Sequence, residues 1–227
     1  MTAFGSDGLW NHPARPWVGP FAVFCVFLGL GDFLGLGEWE YPFRAAAIAA
    51  AIWFCSREIL NLRVERWMGS VALGAAVFAI WIAPDLLFPA WREHWIFQNG
   101  ITGKVASTVP EALRSNPMVL LFRAIRAVLL VPVLEELFWR GWLMRWIVSQ
   151  DFQSVPIGKY AANAFWITAA LFAVEHGPFW DVGLLAGIAY NLWAVRTRSL
   201  GDCMLAHGIT NALLSAYVIA AGQWGYW

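Results

Sequence analysis

Three short clusters in the second half of the chain carry side chains able to do chemistry. The first is Glu135-Glu136-Leu137-Phe138-Trp139-Arg140, two adjacent acids and an arginine following an apolar run. Glu136 and Arg140 stand four apart with the acid first, the favoured order for an ion pair on one helix face. Glu135 projects about 100° away from that pair. A carboxyl left without a cation in an apolar setting suits a general base. The same six residues also suit a structural Glu–Arg pair with a solvated second acid, and on their own they do not decide between the two.

The second cluster is Phe172-Ala173-Val174-Glu175-His176, where the histidine closes an apolar helix just before Gly177-Pro178. Taken alone, a histidine so placed is more often a hydrogen-bonded packing residue than a catalyst. Glu175 is expected near solvent at the helix end. The third cluster is His207-Gly208-Ile209-Thr210-Asn211. His207 and Asn211 share a helix face and offer hydrogen bonds without a permanent charge, which suits an oxyanion hole. Interhelical polar glue is the rival account. Together, Glu135, His176, His207 and Asn211 provide a base, an assisting imidazole and two donors, the set that water-mediated amide hydrolysis needs.

The elements that must position these groups are apolar helices. Of 227 residues, 60% are hydrophobic and 13% charged, against about 45–50% and about 25% in soluble domains. Mean hydropathy is positive, and 16 Trp and 16 Phe suit membrane interfaces. A net charge of zero gives no sign of a nucleic-acid partner. Cys25, Cys55 and Cys203 lie in or beside apolar stretches, are odd in number and lack metal-ligand spacing, so they read as reduced packing residues. The first 20 residues carry Pro13, Pro16 and Pro20 without a continuous apolar core, so no cleavable signal peptide is expected.

A spanning helix needs about 20 mostly apolar residues. Candidates cover 21–36, 42–60, 67–88, 117–148, 157–176, 179–195 and 201–222. Gly29, Gly31, Asp32 and Gly35 interrupt the first, and Pro84-Asp85 should kink or end the third. Pro132 should break or kink the fourth near Val131. The polar stretch 91–116 contains Thr108-Val109-Pro110-Glu111, a capping box that predicts a helix start; Ser199-Leu200-Gly201-Asp202 predicts another. The expected fold is an all-α polytopic transmembrane bundle of about seven spans, with six to eight allowed. It forms a single membrane domain over 1–227, with N-terminal spans and an interfacial segment over 1–116 and a catalytic core over 117–222. Arg57, Arg63 and Arg66, then Arg145 and Lys159, then Arg196 and Arg198 all fall on one side of seven spans, which places the N-terminus in the cytoplasm.

In this order, the three clusters resemble the CAAX-protease and bacteriocin-processing family of intramembrane glutamic proteases. That family shows Glu-Glu-x-x-x-Arg, then Phe-x-x-x-His, then His-x-x-x-Asn or Asp. The resemblance covers about residues 120–214. Chain size and tryptophan content are also similar to the bacterial branch found alongside exosortase systems. The resemblance implies that Glu135 activates water with His176, that His207 and Asn211 stabilise the oxyanion, and that Glu136 and Arg140 hold the first motif. It makes Phe172 a packing residue. It further implies a membrane-anchored or lipid-modified peptide substrate cut near a C-terminus, no cofactor, residence in the bacterial inner membrane, and exosortase-type components as partners.

Three alternatives stay open at this point. A zinc protease would use Glu135, His176 and His207 as ligands, although no His-Glu-x-x-His spacing exists. A scaffold, immunity factor or transporter would use the polar residues as glue or a substrate path. A serine or cysteine protease is disfavoured, since Ser199, Ser215 and Cys203 have no activating partner in the sequence. One geometric difficulty also stands. By this topology His207 lies near the cytoplasmic face and His176 at the far end of its helix, while a full span is about 30 Å long.

Overall fold

A computed structural model describes residues 11–30 and 35–227. Gly31 and Asp32 of the first candidate span lie outside the described residues. Seven helices run through the described chain, and no strand occurs among its described residues. They are α1 (Arg15–Leu30), α2 (Glu40–Ser56), α3 (Trp67–Leu87), α4 (Pro117–Trp146), α5 (Ala162–Glu175), α6 (Trp180–Thr197) and α7 (Leu200–Ala221). The all-α membrane bundle expected from composition is the observed fold class. Three of the seven, α3, α4 and α7, are both long and apolar enough to cross a bilayer by themselves; α1 and α5 are apolar but shorter.

Lipid as solvent explains the inverted surface. Phe54, Leu87 and Val174 are about seven-tenths exposed, and side chains of this kind are stable outside only against hydrocarbon. Helix association then relies on close backbone approach at small residues. Gly74 lets α3 lie against α7: a Cβ there would sit 2.4 Å from the Ala206 carbonyl oxygen. The pairs α3–α7 and α5–α6 pack most extensively.

Two sequence expectations are corrected. Thr108 does not open a helix. Residues Glu111–Leu113 make one 3₁₀ turn without a side-chain cap. The true start lies at Pro117, where the Asn116 side chain accepts from the Met118 and Val119 amides, with proline at the favoured first position. The Ser199 cap does form, by accepting from the Asp202 amide. Asp202 does not close a capping box; it turns to accept from the Glu65 and Arg66 amides and from Ser70.

At Pro132, where a break or kink was expected, α4 continues with a local change of register. The helix widens over Arg126–Leu130 into π geometry and again over Leu137–Leu143. In the widened register the Val131 amide donates to the Arg126 carbonyl, five residues back. The next bond would run from residue 132 to the Ala127 carbonyl, and proline has no N–H to make it. The helix therefore continues with the Ala127 carbonyl left free, a π-bulge of the kind often found at functional sites.

Candidate active site

The four sequence-derived residues line one cavity of about 330 Å³. Glu135 comes from α4, His176 from the end of α5, and His207 and Asn211 from α7. Phe24 of α1 and Trp81 of α3 complete its apolar wall.

The difficulty over depth resolves through helix length. Helix α5 has 14 residues, about 21 Å, too short to cross a hydrocarbon core of about 30 Å. Its C-terminal residue therefore stops within the bundle. His207 sits two turns into α7, and both imidazoles reach the Phe172 ring, at 4.6 Å and 6.1 Å between centroids. The remaining depth beyond the α5–α6 turn is filled by the loop that follows α3. Gly177 adopts φ +53° there, and a Cβ on it would meet the Thr102 carbonyl at 2.8 Å. Arg92, buried on this loop, binds the Pro178 carbonyl at 2.9 Å, Asp85 at 3.2 Å and Asp181.

The adjacent acids face different surroundings. Glu136 is fully buried. Its Oε1 accepts from Arg140 at 3.0 Å and pairs with His207 Nδ1 at 3.0 Å. Arg140 also donates to the Asn191 side chain at 2.9 Å and to the Gly187 carbonyl at 3.3 Å. Asn191 in turn donates to the Phe165 carbonyl. One guanidinium thereby ties α4, α5 and α6 together, above the rings of Phe172 and Tyr190. The pairing expected from the i, i+4 spacing is present. Among the described residues Glu135 Oε2 is buried without a hydrogen-bond partner, 4.0 Å from His207 Nε2.

The imidazole and amide hydrogen bonds restrict what each group can do. His176 Nδ1 lies 2.7 Å from the Phe172 carbonyl. A carbonyl only accepts, so Nδ1 carries the proton and, in the neutral ring, Nε2 presents a lone pair. Asn211 Nδ2 donates at 2.8 Å to the Ala127 carbonyl, the acceptor that Pro132 leaves free. Polar glue therefore describes one of its two N–H bonds, and the second remains.

Sequence reasoning missed several cavity residues. Glu175, expected near solvent, lines the cavity beside the Trp139 indole, because the half-buried helix end it occupies turns this side chain into the bundle. Tyr190 stacks on His207 at 5.0 Å and donates to Thr210. Arg126, on the cavity wall, and Asn191, outside it but bonded to Arg140, also went unremarked. An amide and an arginine within apolar helices were the available signals. Among the described residues, no group of three or more His, Cys, Asp and Glu side chains is placed to hold a metal ion.

Residues 117–213 match the family model described as type II CAAX prenyl endopeptidase Rce1-like. The matched segment is less than half of the chain. No curated protein and no solved structure matches the chain. The match supports a peptidase of the CAAX type in the membrane. The Rce1-like segment holds Glu135, His176, His207 and Asn211, and α1 to α3 lie outside it.

Proposed function

We propose that the protein is an intramembrane glutamic endopeptidase that hydrolyses a peptide bond of a membrane-associated or lipid-modified substrate with an activated water. The observation that carries this reading is the shared cavity of Glu135, His176, His207 and Asn211.

Water between Glu135 and the free Nε2 of His176 loses a proton to one of them as its oxygen attacks the carbonyl carbon. The carbonyl oxygen gains the negative charge, with the unused Asn211 N–H and His207 Nε2 as its donors. Since Nδ1 of His207 faces Glu136, this role requires a proton on both ring nitrogens. Collapse of the adduct breaks the C–N bond, and the proton held by the base passes to the departing amine. No acyl-enzyme forms. Phe172 is a packing residue that holds both imidazoles.

The test is Glu135→Gln in purified, membrane-reconstituted protein with a hydrophobic peptide reporter. Cleavage is expected to vanish while thermal unfolding stays unchanged, and full activity in this variant overturns the assignment. Exhaustive chelation separates the zinc account: retained activity with no stoichiometric zinc opposes it.

A further inference from the structure

Glu175 lines the same cavity and has no role in the chemistry above. Among the described residues, Glu135 and Glu175 are the two carboxyl groups of that wall. Glu175 precedes His176, but the 100° step between neighbours sends the two side chains apart. His176 packs against α6, where a Cβ added at Gly183 would sit 3.2 Å from its own Cβ. Glu175 turns instead to the Trp139 indole of α4. Trp139 stands four residues beyond Glu135, about one turn along that helix. Of the charged side chains around Glu135, Glu175 acts on it most strongly, ahead of Glu136 and Arg140. Arg140 is itself taken up by Glu136. Glu175 Oε2 is buried with no hydrogen-bond partner among the described residues. Two carboxylates in one apolar cavity repel, so a proton is retained on one of the pair.

We propose that Glu175 is a further catalytic residue, the acid that hands a proton to the departing amine nitrogen. This rests on the peptidase reading. An amine leaves a tetrahedral carbon only once its nitrogen gains a proton, so a positioned acid speeds that step. The water is held by Glu135 and His176, and the oxyanion faces Asn211 and His207 of α7. The side of the wall between α4 and α5 is left for the nitrogen, and Glu175 is the acid there. Glu135 starts as the carboxylate and Glu175 as the carboxylic acid. Water gives a proton to the base and its oxygen to the carbonyl carbon. As the adduct collapses, the C–N electron pair goes to nitrogen, which takes the Glu175 proton. The proton on the base then passes to Glu175 by way of a water in the cavity, and both acids return to their starting states. The proton drawn from water thus reaches the amine through Glu175.

The test uses the full chain in phosphatidylcholine nanodiscs and two probes. One is a hydrophobic reporter peptide, and the other is the same peptide with sulfur in place of the scissile N–H, a thioester. Glu175→Gln keeps the size of the side chain and removes the transferable proton. It is expected to lower kcat on the amide by about 10²–10³-fold with KM little changed, and on the thioester by less than about threefold, because a thiolate leaves without a proton. Glu175→Asp keeps the proton on a shorter arm and should recover part of the amide rate. An amide rate that survives Glu175→Gln, or an equal fall on both probes, would overturn the role, since a structural contact serves both bonds alike. If Glu175→Gln does not fold, Glu175→Asp decides by the same ratio: a larger deficit on the amide supports the acid, and equal deficits overturn it. Glu135→Gln separates the two levels, because loss of the base should lower both rates. If it does so while Glu175→Gln treats the probes alike, the peptidase stands and the acid falls. If the unsubstituted chain cuts neither probe, the peptidase reading falls and takes this role with it.

Discussion

Glu135 and Glu136 are neighbours in the chain, yet they belong to two different regions of the molecule. Glu136 sits in a buried clamp, compensated by Arg140 and His207 and locked through Asn191 to α6 and the Phe165 carbonyl of α5. Glu135 looks into the cavity, its Oε2 without a hydrogen-bond partner among the described residues. The 100° helical step between consecutive residues makes this division possible. One turn of α4 can serve both positioning and reaction because the stabilising contacts are confined to one of its faces. In the clamp, Glu136 Oε1 is held by two partners although its Oε2 has none, whereas no hydrogen-bond donor among the described residues holds Glu135 Oε2 at the cavity.

The sharpest break of this comparison is a matched pair, Glu135→Gln and Glu136→Gln. The first is expected to lower the cleavage rate by about 10²–10⁴-fold, the contribution of a positioned general base, with unchanged thermal unfolding. The second is expected to destabilise the fold. Equal loss of stability in both would erase the distinction between the regions.

Arg140→Leu is next in size. It leaves Glu136 buried against His207 alone, and a broken buried pair costs about 3–5 kcal/mol, read as a lower unfolding temperature in detergent. Replacing both members, Glu136→Leu with Arg140→Met, should recover most of that stability, since an apolar pair avoids the desolvation cost. Activity should not return, because His207 has lost the acceptor for Nδ1. Recovery of activity along with stability would show that the clamp does not position the site.

The clamp was legible in the sequence because i, i+4 spacing survives into any helix. The convergence of His176 on His207 was not. It depends on α5 stopping short, and the 157–176 apolar run read as a full span when its helix begins only at Ala162. Glu175 was misplaced for the same reason. The Thr108–Glu111 box matched a helix start in composition, but Asn116-Pro117 won locally with both a cap and a fixed φ. At Pro132, the sequence signalled a perturbed helix. It did not show that a π-bulge would absorb the proline and hand the freed carbonyl to Asn211. Arg126 was passed over because its neighbour at helical spacing, Arg123, is another cation, and no acid at i±3 or i±4 marks a pair.

Asn211 belongs to both regions, so its substitution sharpens the boundary between them. Asn211→Ala is expected to lower kcat by about 10²–10³-fold with little change in KM, as for loss of one oxyanion donor. The variant also strips the Ala127 carbonyl of its partner. Pro132→Ala restores an N–H at the residue that should bond to that carbonyl. If Asn211 were only glue, Asn211→Ala with Pro132→Ala would regain activity; the expected result is regained stability and a kcat that stays low.

The smallest effect is expected far from the cavity, at Asp202. It is fully buried, and its two oxygens accept from the Arg66 amide at 2.8 Å, Ser70 Oγ at 3.0 Å and the Glu65 amide at 3.1 Å. These bonds pin the connection between α2 and α3 to the first turn of α7. Asp202→Asn keeps one acceptor and turns a donor towards an N–H, leaving one buried amide unsatisfied. The cost should be about 1–3 kcal/mol, with kcat per folded molecule unchanged. Asp202 shares α7 with His207 and Asn211 but contacts neither, so a fall in kcat at full folding would show that the start of α7 sets the position of the cavity groups. An unchanged kcat with lowered stability would confine Asp202 to holding the bundle.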